Sequence, residues 1–174
     1  KDLVSRYPGI TVVDFRDGDY PIEKIKPETS DFINLHPDLK AIWSSYDSWQ
    51  AMSGLEQGGL PYQKWPVMVC ETSRDALLLW QRAQAAHPGF DCFASVNPPG
   101  IAYDAVYAAF YLVSGHSIDP SALGGAFGRT LFVDLPTVTK DNFQEKLNEL
   151  LKKDTYYVDE LMAPEAILER WFRE

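Results

Sequence analysis

Short apolar runs alternate with longer amphipathic stretches along this chain. The runs have the length and the β-branched or apolar content of buried strands. They cover residues 10–15, 40–44, 67–70, 92–96 and 130–135. Each run predicts one strand of a sheet.

The stretches between the runs carry helical signals. Ser73 is suited to an N-cap, and Gly58-Gly59 is suited to close a helix. In the stretch 140–153, one helical side carries the apolar residues Phe143, Leu147, Leu150 and Leu151. The predicted helices cover residues 27–35, 47–57, 73–86, 101–113, 140–153 and 163–172. Helices between strands predict right-handed βαβ units, and hence an α/β fold with a doubly wound, mostly parallel sheet.

Composition excludes several classes of protein. The chain has 174 residues, of which 45% are hydrophobic and 24% charged, as expected for a globular domain with one sizeable core. No apolar run is long enough to span a bilayer, so we expect no direct membrane insertion. Residues 1–8 show no signal peptide. The formal net charge of -9 argues against a nucleic-acid partner, because phosphates need a basic face.

The two cysteines do not form a metal-binding pattern. Neither belongs to a CxxC motif and the three histidines are scattered, so we expect no metal site. Cys70 and Cys92 both lie in predicted strands, which favours buried free thiols. A single bridge between them stays open as an alternative.

Motifs of common enzyme classes are absent from the sequence. It contains no GxSxG, no GxxxxGK[ST] and no HExxH. The glycines of residues 124–128 precede a predicted strand, whereas a dinucleotide fingerprint follows one. We therefore expect a binding protein with no catalytic residue and no cofactor, and not an enzyme.

Polar and aromatic side chains follow the predicted strands. Ligands of open α/β sheets bind beyond the carboxyl ends of the strands. A sugar needs planar polar groups for its hydroxyls and an aromatic ring for its C–H face. The candidate ligand-binding residues chosen on these grounds are Tyr20, Tyr46, Asp47, Trp49, Glu71 and Asn97.

Structural roles compete with these binding roles. Asp47 is equally well placed to be the N-cap of its helix, and Tyr20 lies beside a proline, as a turn residue does. Glu71 ends a buried strand, where an unpaired carboxylate is costly, so we expect it to be hydrogen-bonded or functional. Trp43 and Trp80 are expected in the core.

Several segments carry a family resemblance. Residues 36–47, HPDLKAIWSSYD, are similar to the pattern NPDIKAVFAAND, residues 67–72 fall at VVGFDG, and residues 138–142, VTKDN, match VTxDN. Further matching segments are 5–10, 96–102 and 115–118. In this order, over nearly the whole chain, the segments resemble the type I periplasmic sugar-binding proteins of the ribose-binding group.

The resemblance implies roles for particular residues. It puts an aromatic site residue near Tyr20, an Asn-Asp pair at Tyr46-Asp47 and a strand-end Asp at Glu71. The family's Gln falls at Val96, or at Asn97 if the register shifts by one. Tyr46, Glu71 and Val96 differ in residue type from the family pattern.

The resemblance also implies an architecture and a function. Members of the family have two lobes that close over a solute, which they deliver to the permease of an ABC transporter. We therefore expect an extracytoplasmic solute-binding component, periplasmic or lipid-anchored, with a carbohydrate as its solute. Residues 1–97 and 130–139 would form the second lobe, and residues 98–129 and 140–174 would be crossing, first-lobe or tail segments.

One consequence of this division concerns the helix at 101–113. It would expose Val106, Phe110 and Leu112 unless an amino-terminal lobe or a second chain covers them.

Two alternative functions stay open. The effector-binding domain of a lactose-repressor-type regulator shares the fold, although the absent helix-turn-helix and the charge of -9 count against it. A doubly wound enzyme is the third hypothesis.

Overall fold

The alternation of strand and helix along the chain is the main feature of the fold. The computed structural model describes residues 4–17, 22–44, 48–95 and 99–173. Its helices and strands are α1 (Ile22–Leu35), β1 (Ala41–Trp43), α2 (Ser48–Gln57), β2 (Val67–Cys70), α3 (Arg74–Ala86), β3 (Cys92–Ser95), α4 (Ile101–Val113), β4 (Ser117–Ile118), β5 (Thr137–Val138), α5 (Phe143–Lys153), α6 (Pro164–Trp171) and β6 (Phe172–Arg173). The α/β class predicted from the sequence is confirmed.

The principal sheet is mostly parallel, as predicted. Its strand order is β1-β2-β3-β5, with β1, β2 and β3 parallel and β5 antiparallel to β3. Ile42 is in register with Met68, and Cys70 with Ala94. Because three neighbouring strands point the same way, their carboxyl ends meet at one edge of the sheet.

One face of this sheet carries the main core. Met68, Cys70, Cys92 and Ala94 are buried there in one cluster with residues of α2, α3 and α5. Trp80 of α3 is fully buried, and its ring centroid lies 4.6 Å from that of Phe143, so its predicted packing role is confirmed. Both cysteines are free and buried, as the sequence predicts.

A second, smaller core joins α4, α6 and the antiparallel β4–β6 pair. Its buried residues include Ala108, Ile167 and Trp171. The buried carboxylate of Asp104 accepts a hydrogen bond from the Met162 N–H at 3.2 Å, which ties α4 to the segment before α6. The second core therefore unites segments that are far apart in sequence.

The other face of the principal sheet carries exposed apolar side chains, which corrects the prediction for Trp43. Trp43 was expected in the core but is 74% exposed. It is in register with Val69, which is in register with Phe93, and Phe93 is also exposed. The side chains that alternate with these three strand positions point into the main core, so Trp43 lies on the face opposite the helices α2, α3 and α5.

Two predicted strands are absent, which corrects the sequence analysis at residues 10–15 and 130–135. A strand needs a partner as well as β-branched residues, and 10–15 is exposed without one. In 130–135, Leu131 and Val133 pack against the second core instead. The edge of β3 pairs with Thr137–Val138, because the Val138 side chain is buried in the main core.

Helix α1 begins earlier than predicted. The expected helix starts at Pro27, but the observed one starts at Ile22 and contains Pro27 in its interior. The sequence predicts a start at Pro27 because the missing N–H of proline is tolerated at the first helical position. By contrast, α4 has its predicted bounds, and α3 begins after Ser73, whose Oγ accepts from the Ala76 N–H at 3.2 Å.

The fold makes a testable distinction between two leucines of α5. Leu147 is fully buried in the main core, whereas Leu151, which was predicted on the same side of the helix, is 50% exposed. We expect Leu147→Ala to lower the free energy of unfolding by about 2–5 kcal/mol, through lost burial and a residual cavity. We expect Leu151→Ala to cost less than about 1 kcal/mol. Chemical denaturation of both variants measures this, and equal losses would contradict the packing of α5.

Candidate functional site at the carboxyl edge of the parallel strands

The carboxyl ends of β1, β2 and β3 meet at one edge of the sheet. The chain passes from β1 through Ser44 towards α2, and from β2 through residues 71–73 into α3. Ser44 extends the alignment beyond β1, because its N–H donates to the Val69 carbonyl at 3.2 Å. The carboxyl end of β3 leads towards α4 at the same edge. This edge is therefore the place where separate turns can act on one ligand.

Glu71 is the best-defined polar group at this edge. It is 2% exposed, and its Oε2 accepts from the Ser48 N–H at 2.6 Å and from the Ser48 hydroxyl. Its Oε1 accepts from the Ser73 hydroxyl at 2.7 Å, and its own N–H donates to Ser48 Oγ at 3.0 Å. Glu71 thus joins the first residue of α2 to the N-cap of α3.

The hydrogen bonds satisfy the expectation that Glu71 is bonded or functional. A carboxylate at the N-terminus of a helix accepts from N–H groups that have no partner within the helix, and it is favoured by the helix dipole. Through this bond Glu71 fixes the start of α2 next to residues 45–47. Its contribution to a site is therefore the positioning of a turn, and direct contact with a solute stays a prediction.

Burial has an electrostatic cost at Glu71. Desolvation raises the pKa of its carboxyl group above the ordinary value, and this outweighs the hydrogen bonds from Ser73 and Ser48, which act in the opposite direction. The protonated form is therefore favoured more in the folded chain than in the unfolded chain.

Trp49 is the other predicted site residue that the structure describes. It lies in the first turn of α2 and is partly buried against the main core. The Lys26 ammonium of α1 lies 5.3 Å from the centroid of its ring. One part of the indole therefore takes part in packing between α1 and α2, and a role in ligand binding stays a prediction. Tyr20, Tyr46, Asp47 and Asn97 lie outside the described residues.

The sequence analysis missed the segment that runs past this edge before α6. The Arg74 N–H donates to the Tyr156 carbonyl at 2.7 Å, and the Val158 N–H donates to the Thr72 carbonyl at 3.0 Å. Asp159 Oδ2 accepts from the Gly100 N–H at 3.0 Å, and a Cβ at residue 100 would clash with that carboxylate. The available signal was the presence of Tyr156, Tyr157 and Asp159 after a helix. No local pattern indicates that these residues return to the sheet.

The described part of the chain offers no group of three or more His, Cys, Asp or Glu side chains that could hold a metal ion. Within those same residues, none of the helices has the length and apolar character needed to cross a membrane.

Comparison with solved structures gives the fold a counterpart. The chain is similar to the periplasmic binding protein component of the arabinose ABC transporter from Shewanella sp. ANA-3, bound to alpha and beta-L-arabinofuranose. The TM-score is 0.64 and the sequence identity is 15%, over 88% of this chain and 48% of that chain. The likeness shows the fold. This chain has the architecture of a periplasmic-binding-protein lobe.

The same comparison sets the extent of the likeness. The chain spans about half the length of that binding protein. No family model matches the chain, and no curated protein matches it by sequence. The likeness is thus carried by architecture, with its strands and helices in similar places, while 85% of the aligned residues differ.

The buried carboxylate makes a prediction for stability against pH. Because the folded state raises the pKa of Glu71, its contribution to stability is fully present below the ordinary value of 4.5 and is lost as pH rises through the raised value. Glu71→Gln removes this titration. The free energy of unfolding of Glu71→Gln, relative to that of the wild type, should therefore increase as pH rises above 4.5.

Denaturant titrations at a series of pH values test this prediction. The exposed Glu145 serves as the matched control, since Glu145→Gln should leave the wild-type pH profile nearly unchanged. A constant difference between Glu71→Gln and wild type at every pH would show that the Glu71 carboxylate is not desolvated.

Proposed function

We propose that this chain is a lobe of an extracytoplasmic solute-binding protein that binds a sugar or sugar-like solute for an ABC transporter. The observation that carries the proposal is that the carboxyl ends of β1, β2 and β3 meet at one edge, in a fold similar to that of the periplasmic binding protein component of an arabinose ABC transporter. The edge lies where ligands of open α/β sheets bind. The neighbour's sugar makes a pentose the first solute to test.

The chemistry of the turns supports a polar solute of this kind. Asp47 and Asn97 supply a carboxylate and an amide, and each follows a strand that ends at this edge. Such groups bind hydroxyls through planar, directional hydrogen bonds, which are stronger when one partner is charged. Tyr20, Tyr46 and Trp49 supply rings for the apolar face of a sugar.

Glu71 has a supporting role in this proposal. It holds the N-terminus of α2 through Ser48, and residues 45–47 lead directly into that helix. Ser48, which Glu71 holds, is the next residue after Asp47 in the sequence. Pre-organised polar groups bind more tightly because less freedom is lost on binding.

The exposed face of α4 supports a two-lobed arrangement. Val106 is 66% exposed, Phe110 is 56% exposed and Val113 is 85% exposed, all on one helix. Together they form an apolar surface of the kind that marks a contact with another protein surface. We propose that the α4 helix and the second core contact a first lobe, and that closure of the two lobes over the solute is what the permease recognises.

A matched pair of variants tests the site. Asp47→Ala should weaken sugar binding by at least tenfold, about 1.4 kcal/mol, because a charge-assisted hydrogen bond is lost. Asp38→Ala is the control, since Asp38 is exposed and precedes β1, at the opposite edge of the sheet. Titration calorimetry and tryptophan fluorescence with L-arabinose, D-ribose, D-galactose and D-glucose at millimolar concentrations measure the effect.

The possible outcomes of that experiment separate the hypotheses. Saturable binding that Asp47→Ala weakens and Asp38→Ala spares supports a sugar site at this edge. An unchanged affinity of Asp47→Ala would remove Asp47 from the site, and the absence of saturable binding for every sugar in the panel would contradict the proposal.

The α4 surface has its own test. The native chain should bind the apolar dye ANS, and Val106→Ser/Phe110→Ser should lower that fluorescence more than a control substitution does, because both side chains lie on the exposed face of α4. Phe127→Ser is the control, because Phe127 is 89% exposed but lies in a loop away from the helix. Equal ANS fluorescence from the wild type and the double variant would show that α4 is not the apolar surface.

A further inference from the structure

The two cysteines of this chain meet in the main core. Cys70 Sγ lies 2.8 Å from Cys92 Sγ, although the residues are 22 positions apart in sequence. They are the only cysteines among 174 residues. Cys70 is 2% exposed and Cys92 is 3% exposed, so the contact is enclosed by protein on every side.

The sheet register explains how the two side chains meet. Cys70 is in register with Ala94, and Cys92 with Met68, so the cysteines are diagonal neighbours on adjacent parallel strands. Both point to the buried face of the sheet, and the two sulfurs lean towards each other across the diagonal. A disulfide bond needs the sulfurs about 2.05 Å apart, so closure requires a movement of less than about 1 Å.

We propose that Cys70 and Cys92 form a disulfide that links β2 to β3 when the chain meets a disulfide oxidant such as oxidised glutathione. Each cysteine gives up its thiol proton and one electron, and the two sulfurs share the new bond. The oxidant takes up the two electrons and two protons and is split into two glutathione thiols. One cysteine first forms a mixed disulfide with glutathione. The thiolate of the other cysteine then attacks this bond and displaces glutathione as a thiol.

Burial sets the conditions for this reaction. The attacking species is a thiolate, and burial raises the pKa of the Cys92 thiol well above its ordinary value. Glutathione also has no path to sulfurs that are almost fully buried. The bond therefore forms while the chain folds or opens, and it is protected from reductant once the core has closed.

The purified 174-residue chain allows a direct test. It is equilibrated in glutathione buffers from fully reduced to fully oxidised, with and without urea below the unfolding midpoint, then quenched in acid and unfolded with maleimide. In oxidised buffer we expect a mass lower by two hydrogen atoms and no maleimide adduct. Urea should accelerate the loss of free thiols at least tenfold, because it increases the fraction of open chains.

Two further results decide the proposal. Oxidised wild-type chain should melt roughly 5–10 °C above reduced chain, whereas Cys70→Ala/Cys92→Ala should melt at the same temperature with or without reductant. Two maleimide adducts, or glutathione adducts without an internal bond, after equilibration in fully oxidised buffer with urea would overturn the proposal, since the diagonal offset would then hold the sulfurs apart. This test involves no sugar, so it is independent of the proposed function.

Discussion

The parallel alignment of β1, β2 and β3 is the constraint on which the rest of this structure depends. It brings the carboxyl ends of three strands to one edge, and it sets one face of the sheet against α2, α3 and α5. Glu71 completes the arrangement, because its carboxylate receives hydrogen bonds from both Ser48 and Ser73 and so ties the starts of two helices together. The edge proposed for binding is thereby built from residues that also hold the fold.

Local patterns in the sequence predict those elements whose signals lie within the segment itself. The run Val67–Cys70, the helix Ile101–Val113 and the Ser73 cap are all confirmed, because apolar content, helical periodicity and capping chemistry are local properties. The buried state of Trp80 and of both cysteines follows for the same reason.

Features that depend on a partner elsewhere in the chain could not be predicted in this way. Residues 10–15 have strand composition but no neighbouring strand. Trp43 lies on the sheet face that helices α2, α3 and α5 do not cover. The hydrogen bonds of Glu71 and the return of residues 156–159 to the edge are long-range contacts that no local pattern encodes. For the candidate site, sequence predicts the edge and the chemistry of its residues, whereas the structure shows that Glu71 is hydrogen-bonded to Ser48 and Ser73.

Backbone amide chemical shifts, followed by NMR as L-arabinose and the other sugars are added, test the central claim most directly. The account predicts that the shifted amides cluster at residues 44–49, 71–74 and 95–100, with little change at the amino ends of β1, β2 and β3. Shifts concentrated at Lys40, Trp65 or Asp91, which precede those strands, would place the sugar at the opposite edge and contradict the account.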